Sequence, residues 1–479
     1  MARHSATRLQ LSGYRFLMRR MECALLRADL CTVHEPVRAP ALSLAAGGVL
    51  TLVIVIGCAA LAVLRPQAAL GNAPIVMDHQ SGALYVRVGD TVHPVLNLAS
   101  ARLIAGTAAD PQPVSESELR RTPRGPLLGI PGAPQLLAPP VGEPAWTICD
   151  TDHRASAVTT VIAGTRPGPP ARRLSAQQSL LVASGPGAPV YLLYNGHRAV
   201  VNLSDLTVVR ALRLESVAPH SVSRIFLNTV PEAPPIEAPR IPGAGGHGPA
   251  KLSGFPVGSV LRVARADRDE YFVVFSTGVQ RIGALAADLI RLSDSQATHT
   301  IIAVAPDVIS SSPAVDVLPM ATFPDQAPTP AERDATTLCV TWAPAPSGGS
   351  GISFSAGSGL PLPAGQIPVT LAQADAGGPA VDAVYLPPGR SAYVYAAALT
   401  GDYLRAATRY LVTDTGVRFP IHDDQAAHDL GLPATAVPAP WPLLASLPCG
   451  PELRRDNASA GWDAVVPGAT GAPHRPHPR

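Results

Sequence analysis

The sequence predicts an α/β chain of the α+β kind: an N-terminal cytoplasmic helix, one transmembrane helix, and an exported domain with a central β-rich core and four small α/β repeat domains. Three observations predict it. Residues 42–64 form a run of 23 uncharged residues, a hairpin-like pattern recurs four times in the following chain, and β-branched segments with two matched cysteines lie between the copies. The first observation sets the topology, and the other two set the architecture.

The uncharged run from Leu42 to Leu64 is long enough to cross a membrane. At about 1.5 Å of helical rise per residue it reaches roughly 35 Å, against a hydrocarbon core of about 30 Å. Seven arginines precede the run, whereas only Arg65 follows it before Arg87. A cleaved signal peptide has a shorter apolar region, of about 7 to 15 residues. We therefore expect an uncleaved inner-membrane anchor with a cytoplasmic N-terminus and a periplasmic C-terminal domain.

The segment before the span is predicted to form an amphipathic helix. Its apolar side consists of five candidate contact residues at helical spacing: Tyr14, Leu17, Met18, Met21 and Leu25. Arg15, Arg19 and Arg20 lie on the other side. Such a helix either lies on anionic membrane lipid or docks on a cytoplasmic partner protein, and both interpretations are compatible with the pattern.

A repeat is clearest from Tyr85 onward. An alternating strand leads to a turn at Gly89, a second short strand follows, and a helical start contains Asn97 and Arg102. Weaker copies begin at Tyr191, Tyr271 and Tyr410. After three of the copies an apolar residue precedes Pro, at Ile130, Val230 and Val437. Because the spacing is irregular, the pattern indicates separate supersecondary units and not a continuous solenoid.

The exported cysteines predict one disulfide. Cys149 and Cys339 lie in matching strand-like segments that each contain a tryptophan, whereas Cys449 lies in a Pro-Gly turn. We predict a bond between Cys149 and Cys339, which closes a loop of about 190 residues and stabilises the fold by at most about 5 kcal/mol in the chain-entropy model. Three free buried thiols are the alternative. Cys23, Cys31 and Cys58 lie on the cytoplasmic side or within the span, where structural disulfides are not expected.

The order of copies and core segments gives the domain limits. Residues 231–249 and 343–351 are rich in Pro and Gly and are predicted to be loops or linkers, and 367–371 is a candidate strand. The predicted domains are 1–41 (cytoplasmic amphipathic helix), 42–64 (transmembrane helix), 72–140 (repeat 1), 141–175 (first half of the core), 176–240 (repeat 2), 250–320 (repeat 3), 330–385 (second half of the core), 390–456 (repeat 4) and 457–479 (disordered tail).

Several segments together resemble one known family. They are Gln10 to Leu25, Gly82 to Asp90, His93 to Leu103, Arg124 to Pro134, Trp146 to Asp150, Ile241 to Gly245 and Pro256 to Leu261. In these segments the chain resembles EccB, the single-pass core component of the type VII (ESX) secretion systems of mycobacteria and their relatives. The resemblance covers nearly the whole chain. Its departures are Cys449 and the long tail rich in His and Pro.

The resemblance implies a structural component of a protein-export machine. It implies assembly with EccC, EccD and EccE in a six-fold inner-membrane complex, in which this chain meets further copies of itself, and contact with the MycP protease outside. The cytoplasmic helix would then contact protein more than lipid. A repeat protein that binds the cell wall, with peptidoglycan as its partner, is an alternative function.

An enzyme is the other alternative, because the EccB family has carried a periplasmic ATPase label. A phosphate-binding loop requires Gly, four residues, Gly, Lys and a hydroxyl residue. The single lysine, Lys251, follows Ala250 and precedes Leu252, so both flanking positions depart from that pattern. We therefore expect Lys251 to lie in a linker.

Other signatures of function are missing from the sequence. It contains no Gly-x-Ser-x-Gly elbow and no His-Glu-x-x-His helix. The basic residues are scattered, and the net charge is only +2, which does not favour a nucleic-acid partner. We predict no catalytic residue, no metal ligand and no cofactor.

Overall fold

The computed structural model describes residues 8–27, 38–64, 71–142, 144–153, 156–164, 169–266, 268–293, 300–331, 334–344, 350–400, 408–465 and 472–473. Some residues of two predicted segments, the cytoplasmic segment and the C-terminal tail, lie outside these ranges. The chain divides into two compact units, Met1–Gly71 with Val114–Glu118, and Asn72–Pro113 with Leu119–Arg479.

The first unit contains two long helices, α1 (Arg8–Arg27) and α2 (Arg38–Leu64). Pro40 lies in the first turn of α2, where its missing N–H removes no helical hydrogen bond. The apolar side chains of α2 are exposed, with Leu44 78% and Ile56 57% exposed. Helix α2 covers the predicted span. Across the described part of the chain, no helix is long and apolar enough to cross a membrane.

The chain after α2 contains four copies of one arrangement. Three antiparallel strands are followed by a helix, a short strand beside the first strand, a short helix, and a segment that runs beside the third strand. In copy 1 (75–128) the elements are β1 (Ile75–Asp78), β2 (Leu84–Val88), β3 (Thr91–Pro94), α3 (Leu98–Ala105), β4 (Gln112–Val114), α4 (Glu116–Arg121) and β5 (Leu127–Leu128). The strand order of its sheet is β3-β2-β1-β4.

The first half of the core and copies 2 and 3 follow. The core strands are β6 (Trp146–His153), β7 (Ser156–Ala163) and β8 (Ala171–Arg173). Copy 2 (178–236) consists of β9 (Gln178–Ala183), β10 (Val190–Tyr194), β11 (His197–Val201), α5 (Leu206–Ala211), β12 (His220–Ser221), α6 (Arg224–Asn228) and β13 (Glu232–Ile236). Copy 3 (260–315) consists of β14 (Val260–Ala264), β15 (Asp269–Val274), β16 (Val279–Ile282), α7 (Ala284–Leu292), β17 (Ile302–Ala303) and α8 (Pro306–Ser310).

The second half of the core precedes copy 4. The next strands are β18 (Thr329–Pro330), β19 (Thr337–Pro344), β20 (Ser350–Gly357), β21 (Val369–Thr370) and β22 (Ala383–Tyr385). Copy 4 (391–453) consists of β23 (Ser391–Ala397), β24 (Arg409–Thr413), β25 (Arg418–Ile421), α9 (Asp424–Leu430), β26 (Val437–Pro440) and α10 (Trp441–Ser446). The chain continues with α11 (Arg455–Ala458), β27 (Ala460–Trp462) and β28 (Ala472–Pro473).

Both core halves contribute to one seven-stranded sheet, in the order β21-β22-β7-β6-β19-β20-β8. Its two central strands, β6 and β19, are antiparallel, and Trp146 pairs with Trp342 in their register. Both tryptophans are fully buried. Thr147 and Thr341 share a hydrogen bond of 2.9 Å across the same strands. Trp146, Ile148, Val340 and Trp342 of these two strands belong to the largest apolar cluster among the described residues.

Two segments differ from the sequence prediction. Residues 231–249, predicted to be a loop or linker, include the strand β13, which pairs parallel to β11 and buries Ala233 and Ile236. Prolines are tolerated there because β13 is the last strand of its sheet. Residues 457–463, predicted to be the start of a disordered tail, continue from α11 into β27, and the Trp462 indole donates to the Gly129 carbonyl at 2.8 Å.

The similar apolar-Pro pairs also serve different structural roles. Val437 belongs to β26, which pairs parallel to β23, the first strand of copy 4. Val230 precedes β13, which lies beside β11, the third strand of copy 2. The similarity of these sequences therefore does not identify equivalent strands, because Pro favours edge positions on either side of a sheet.

Candidate functional site

Helix α1 presents an apolar stripe made of Tyr14, Leu17, Met18, Met21 and Leu25. The stripe residues are 46% to 85% exposed. Phe16 and Leu26, at 55% and 80%, extend the exposed apolar surface around the helix. An apolar helical surface of this size is stabilised when a partner protein or a lipid surface covers it. The contact role of these five residues stays a prediction.

Tyr85 and Gly89 shape the hairpin of copy 1. Tyr85 lies in β2, and the guanidinium of Arg124 lies 6.0 Å from the centre of its ring. Gly89 has a φ of 62°, a left-handed conformation that Gly adopts without steric cost, and so allows the tight turn into β3. Both residues thus have structural roles within the repeat.

Asn97 links two segments of copy 1. Its Oδ1 accepts a hydrogen bond from the Ser100 backbone N–H at 2.9 Å and caps the N-terminus of α3. Its Nδ2 donates to the Ile130 carbonyl at 2.8 Å, and the Ile130 N–H donates to the Ser100 hydroxyl at 2.8 Å. Asn97 is 1% exposed. The amide is needed because one group must both accept and donate.

Arg102 and Arg455 join copy 1 to copy 4. Arg102 Nη1 donates to the Leu430 carbonyl at the end of α9, at 2.9 Å. Arg455 Nε donates to the Leu103 carbonyl in α3 at 2.8 Å, and its Nη2 lies 3.4 Å from the buried carboxylate of Asp429 in α9. Each guanidinium therefore reaches the C-terminal end of a helix in the pair, where carbonyl groups favour a cation. We call this reciprocal contact the arginine clamp.

Copies 2 and 3 join through apolar packing. Leu285 and Leu289 of α7 pack in one cluster with Val208 and Ala211 of α5. The Tyr194 hydroxyl donates to the Thr322 carbonyl at 2.9 Å, and burial raises the pKa of this phenol to about 12. The side chain therefore stays a neutral donor at neutral pH.

A disulfide and a buried carboxylate lie next to each other in the core. The Sγ atoms of Cys149 and Cys339 are bonded at 2.06 Å, within the pairing of β6 and β19. Asp150 accepts hydrogen bonds from the Ser223 N–H at 2.5 Å and from the Thr159 hydroxyl at 2.8 Å. Burial raises the pKa of the Asp150 carboxyl above its ordinary value, and these hydrogen bonds oppose the shift without cancelling it. Since Ser223 caps α6, Asp150 ties the core to copy 2.

Sequence reasoning missed Asp150, Asp429 and Arg455. A carboxylate directly after Cys149 in a strand of apolar and β-branched residues is a local signal for Asp150. No comparable local signal marks Asp429 or Arg455. The contact of Arg455 with Leu103, for example, joins residues that are 352 positions apart.

Lys251 is exposed and lies in a 3₁₀ turn, Ala250–Leu252, and not in an extended linker. It lines a cavity of about 510 Å³ together with Thr277 and residues 310–313. The hydroxyls of Ser310 and Ser311 donate to the carbonyls of Asp307 and Val308, at the C-terminal end of α8. Carbonyl oxygens repel phosphate, which is bound by backbone N–H groups at helix N-termini. The part of the cavity formed by Ser310 and Ser311 therefore presents the C-terminal end of α8, which does not favour phosphate.

Comparison with known proteins gives consistent matches along the chain. A family model described as "Type VII secretion system ESX-1, transport TM domain B" matches residues 3–467. The "ESX-3 secretion system ATPase EccB3" of Mycolicibacterium smegmatis is 36% identical, over 96% of this chain and 91% of that protein. The "ESX-5 secretion system ATPase EccB5" of Mycobacterium tuberculosis is 34% identical, over 96% and 94%.

Two solved structures are similar to the whole chain or to most of it. A chain of an intact ESX-5 inner membrane complex is 30% identical with a TM-score of 0.74, and the match covers 99% of both chains. A chain of the EccB3 dimer from the ESX-3 core complex is 33% identical with a TM-score of 0.71, and the match covers 81% of this chain and 99% of that one.

The protein is therefore a membrane-complex component of a bacterial protein-export system. The chain belongs to the EccB family, whose members are components of the type VII (ESX) secretion inner membrane complex.

Proposed function

We propose that this chain is a structural component of its ESX complex, anchored in the inner membrane by one helix. One observation carries the proposal: the chain is similar, over 99% of its length, to a chain of an intact ESX-5 inner membrane complex. The four copies and the core form a scaffold in which the buried polar residues cap helices and join copies. EccC, EccD and EccE within the complex, and MycP outside, are the expected partners.

The proposed anchor is Leu42 to Leu64 within α2. The run has no charged residue, and arginines concentrate on its N-terminal side. Its side chains, such as Leu44 and Ile56, are exposed in the isolated chain, which suits a lipid environment. The description of the matching family model as a transport TM domain agrees with this placement. The N-terminus then lies in the cytoplasm and the second unit in the periplasm.

The α1 apolar stripe is the proposed contact with EccC or EccD. Replacing Leu17 or Met21 by Asp would bury an unpaired carboxylate in that contact, at a cost on the order of several kcal/mol. Arg19 and Arg20 lie on the side of the helix opposite the stripe, where a guanidinium stays solvated. If lipid attraction dominated, each arginine near an anionic surface would contribute about 1 kcal/mol instead.

Periplasmic ATP hydrolysis is the second candidate, because the relatives from M. smegmatis and M. tuberculosis are named ATPases. The surroundings of Lys251 do not favour it. The hydroxyls of Ser310 and Ser311 point their protons at helix carbonyls, so they offer no donors to a phosphate.

The test is complex assembly in native membranes. Strains carrying Leu17→Asp or Met21→Asp should lose the intact complex on a native gel, whereas Arg19→Gln with Arg20→Gln should retain it. The full-length chain must remain in the membrane fraction in every strain. Normal assembly with both Asp variants would exclude protein docking through the stripe. Loss of assembly only with the arginine variants would favour lipid binding.

A further inference from the structure

Copies 2 and 4 place an arginine at the same position. Tyr191 pairs with Val200 across β10 and β11, and Tyr410 pairs with Pro420 across β24 and β25. Arg198 lies two residues before Val200, and Arg418 lies two residues before Pro420. The guanidinium of Arg198 lies 5.1 Å from the centre of the Tyr191 ring, and that of Arg418 lies 5.4 Å from the centre of the Tyr410 ring. The internal repeat therefore allows the two sites to be compared residue by residue.

Both arginines also bind the end of the short helix in their copy. Arg198 Nη1 donates to the Leu227 carbonyl in α6 at 2.6 Å, and Arg418 Nε donates to the Leu447 carbonyl after α10 at 3.2 Å. A helix C-terminus attracts a cation because its last carbonyls are unpaired. Each guanidinium is thus held in place by a ring and by a backbone acceptor.

The two sites differ in the residue that faces the arginine on the neighbouring segment. Glu232 pairs with Arg198 in the register of β11 and β13, and its Oε2 lies 2.9 Å from Arg198 Nη2. In copy 4 the corresponding bridge joins Arg418 to Cys449, an exposed free thiol. Within the described residues of the chain, no carboxylate forms an ion pair with Arg418.

In copy 4 the arginine also faces a second aromatic ring. The guanidinium of Arg418 also lies 5.5 Å from the Trp441 ring, which is 43% exposed. Arginine stacked on aromatic rings loses little further conformational entropy when it binds a carboxylate through its two Nη groups. An exposed tryptophan beside such an arginine has the composition of an interface hot spot.

We propose that Arg418, Trp441 and Cys449 form a docking site for an Asp or Glu side chain of a partner protein, which occupies the position that Glu232 has in copy 2. The partner carboxylate binds Arg418, and its neighbouring residues cover Trp441. Cys449 contributes no carboxylate to Arg418, so the guanidinium remains available to the incoming side chain. The proposal rests on the proposed assembly of this chain into a larger complex.

The decisive variant is Cys449→Glu, because it supplies the missing carboxylate from within the chain. It keeps Arg418, so the stacking and the contact with Leu447 are retained. Cys449→Gln has the same size without the charge and is the matched control. We expect Cys449→Glu to weaken complex assembly about 10- to 100-fold, the range for losing a hydrogen bond to a charged group. Cys449→Gln should assemble within about threefold of the native chain.

The native thiol gives an independent readout of occupancy. Labelling with a maleimide, followed by mass spectrometry of the peptide that contains Cys449, measures access to the site in the full-length chain. We expect Cys449 to react at least about tenfold more slowly in the assembled complex than in the same chain expressed without the other components. Acetate added to the unassembled chain should give no protection, since a free carboxylate lacks the contacts with Trp441.

Each of the remaining outcomes contradicts either the docking site, the role of Arg418 or the proposed function. Equal labelling of Cys449 in an intact complex and in the free chain overturns the docking site while leaving the proposed function unaffected. Failure of the native chain to form any complex contradicts the proposed function itself. Protection by acetate alone assigns the site to small anions, and equal assembly of Cys449→Glu and Cys449→Gln overturns the role of Arg418.

Discussion

Two pairs of repeats in this molecule are joined in different ways. Copies 1 and 4 meet through α3 and α9 with the arginine clamp, in which Arg102 and Arg455 bind helix-end carbonyls and Arg455 also reaches Asp429. Copies 2 and 3 meet through α5 and α7, where Leu285 and Leu289 pack against apolar residues. Each pair shares a buried apolar cluster, and the first pair adds charged side chains that bind helix ends.

The two pairs also differ in their separation along the chain. Leu103 and Arg455 are 352 residues apart, whereas Thr207 and Leu292, which meet in the second pair, are 85 apart. Each doubling of a flexible loop costs about 0.6 kcal/mol of closure entropy, so the first pair is disfavoured by about 1.2 kcal/mol more. We expect the polar contacts of the arginine clamp to offset part of that cost. Copies 2 and 3 meet at a shorter range, so a smaller closure cost has to be offset.

The disulfide should matter most for the distant pair. It bonds Cys149 to Cys339, which are 190 residues apart and lie between copies 1 and 4 in the chain. Removing the disulfide with the double substitution Cys149→Ser and Cys339→Ser should lower the free energy of unfolding by about 2–5 kcal/mol. Hydrogen exchange by mass spectrometry on the full chain should accelerate more in α3 and α9 than in α5 and α7. Recovery of a Cys149–Cys449 peptide without reduction would refute the pairing.

The adjacent pair should respond to loss of apolar volume. Leu289→Ala removes a fully buried side chain from the α5–α7 cluster and should cost about 2–5 kcal/mol, because the cavity is only partly refilled. Exchange should accelerate in α5 and α7 and not in α3 or α9. Leu206→Ala is the matched control, since Leu206 is 65% exposed. Equal effects in both pairs would show that the pairs are energetically coupled.

Asn97→Asp distinguishes copy 1 from copies 2 and 4. Asp205 and Asp423 cap the equivalent helices in those copies, so a carboxylate at 97 still accepts from Ser100. The carboxylate cannot donate to the Ile130 carbonyl. Leaving that buried carbonyl without its hydrogen bond should lower the free energy of unfolding by about 1–3 kcal/mol. The apparent Tm should fall, and exchange should accelerate near residue 130. An unchanged Tm would show that the Ile130 contact does not stabilise copy 1.

The arginine clamp should have a smaller effect. Arg455→Met removes the donors to Leu103 and Asp429, and because the side chain is 53% exposed we expect a loss of about 1 kcal/mol. Arg454→Met is the matched control, since Arg454 pairs with Asp456, only two positions away. Exchange in α3 and α9 should accelerate with Arg455→Met alone. The same acceleration with Arg454→Met would argue against a specific clamp.

Local patterns predicted much of this architecture. Alternating residues and turn glycines identified the hairpins around Tyr85, Tyr191, Tyr271 and Tyr410, because strand period and turn geometry are properties of short segments. The matched strands around Cys149 and Cys339 were recognisable for the same reason. Contacts between distant segments were not: β13 and the ordered residues 457–463 depend on neighbours that only the folded chain provides.

Among the candidate sites, too, local patterns were predictable from the sequence and contacts between distant residues were not. The α1 stripe was visible from helical spacing alone. The pairing of Arg455 with Asp429 was not, since neither residue has a local pattern that marks its partner. The contrast between Glu232 and Cys449 required the register of both copies, which the irregular spacing of the repeats conceals in the sequence.

The most direct test of the structural role is secretion by a strain that carries Lys251→Ala in the full-length chain. A scaffold without phosphate chemistry predicts that secretion of ESX substrates and the amount of intact complex remain at the native level. Any ATP hydrolysis by the purified chain should be equally unaffected. Loss of secretion, together with loss of a contaminant-free ATP turnover while the complex stays intact, would contradict the account and assign an enzymatic role to Lys251.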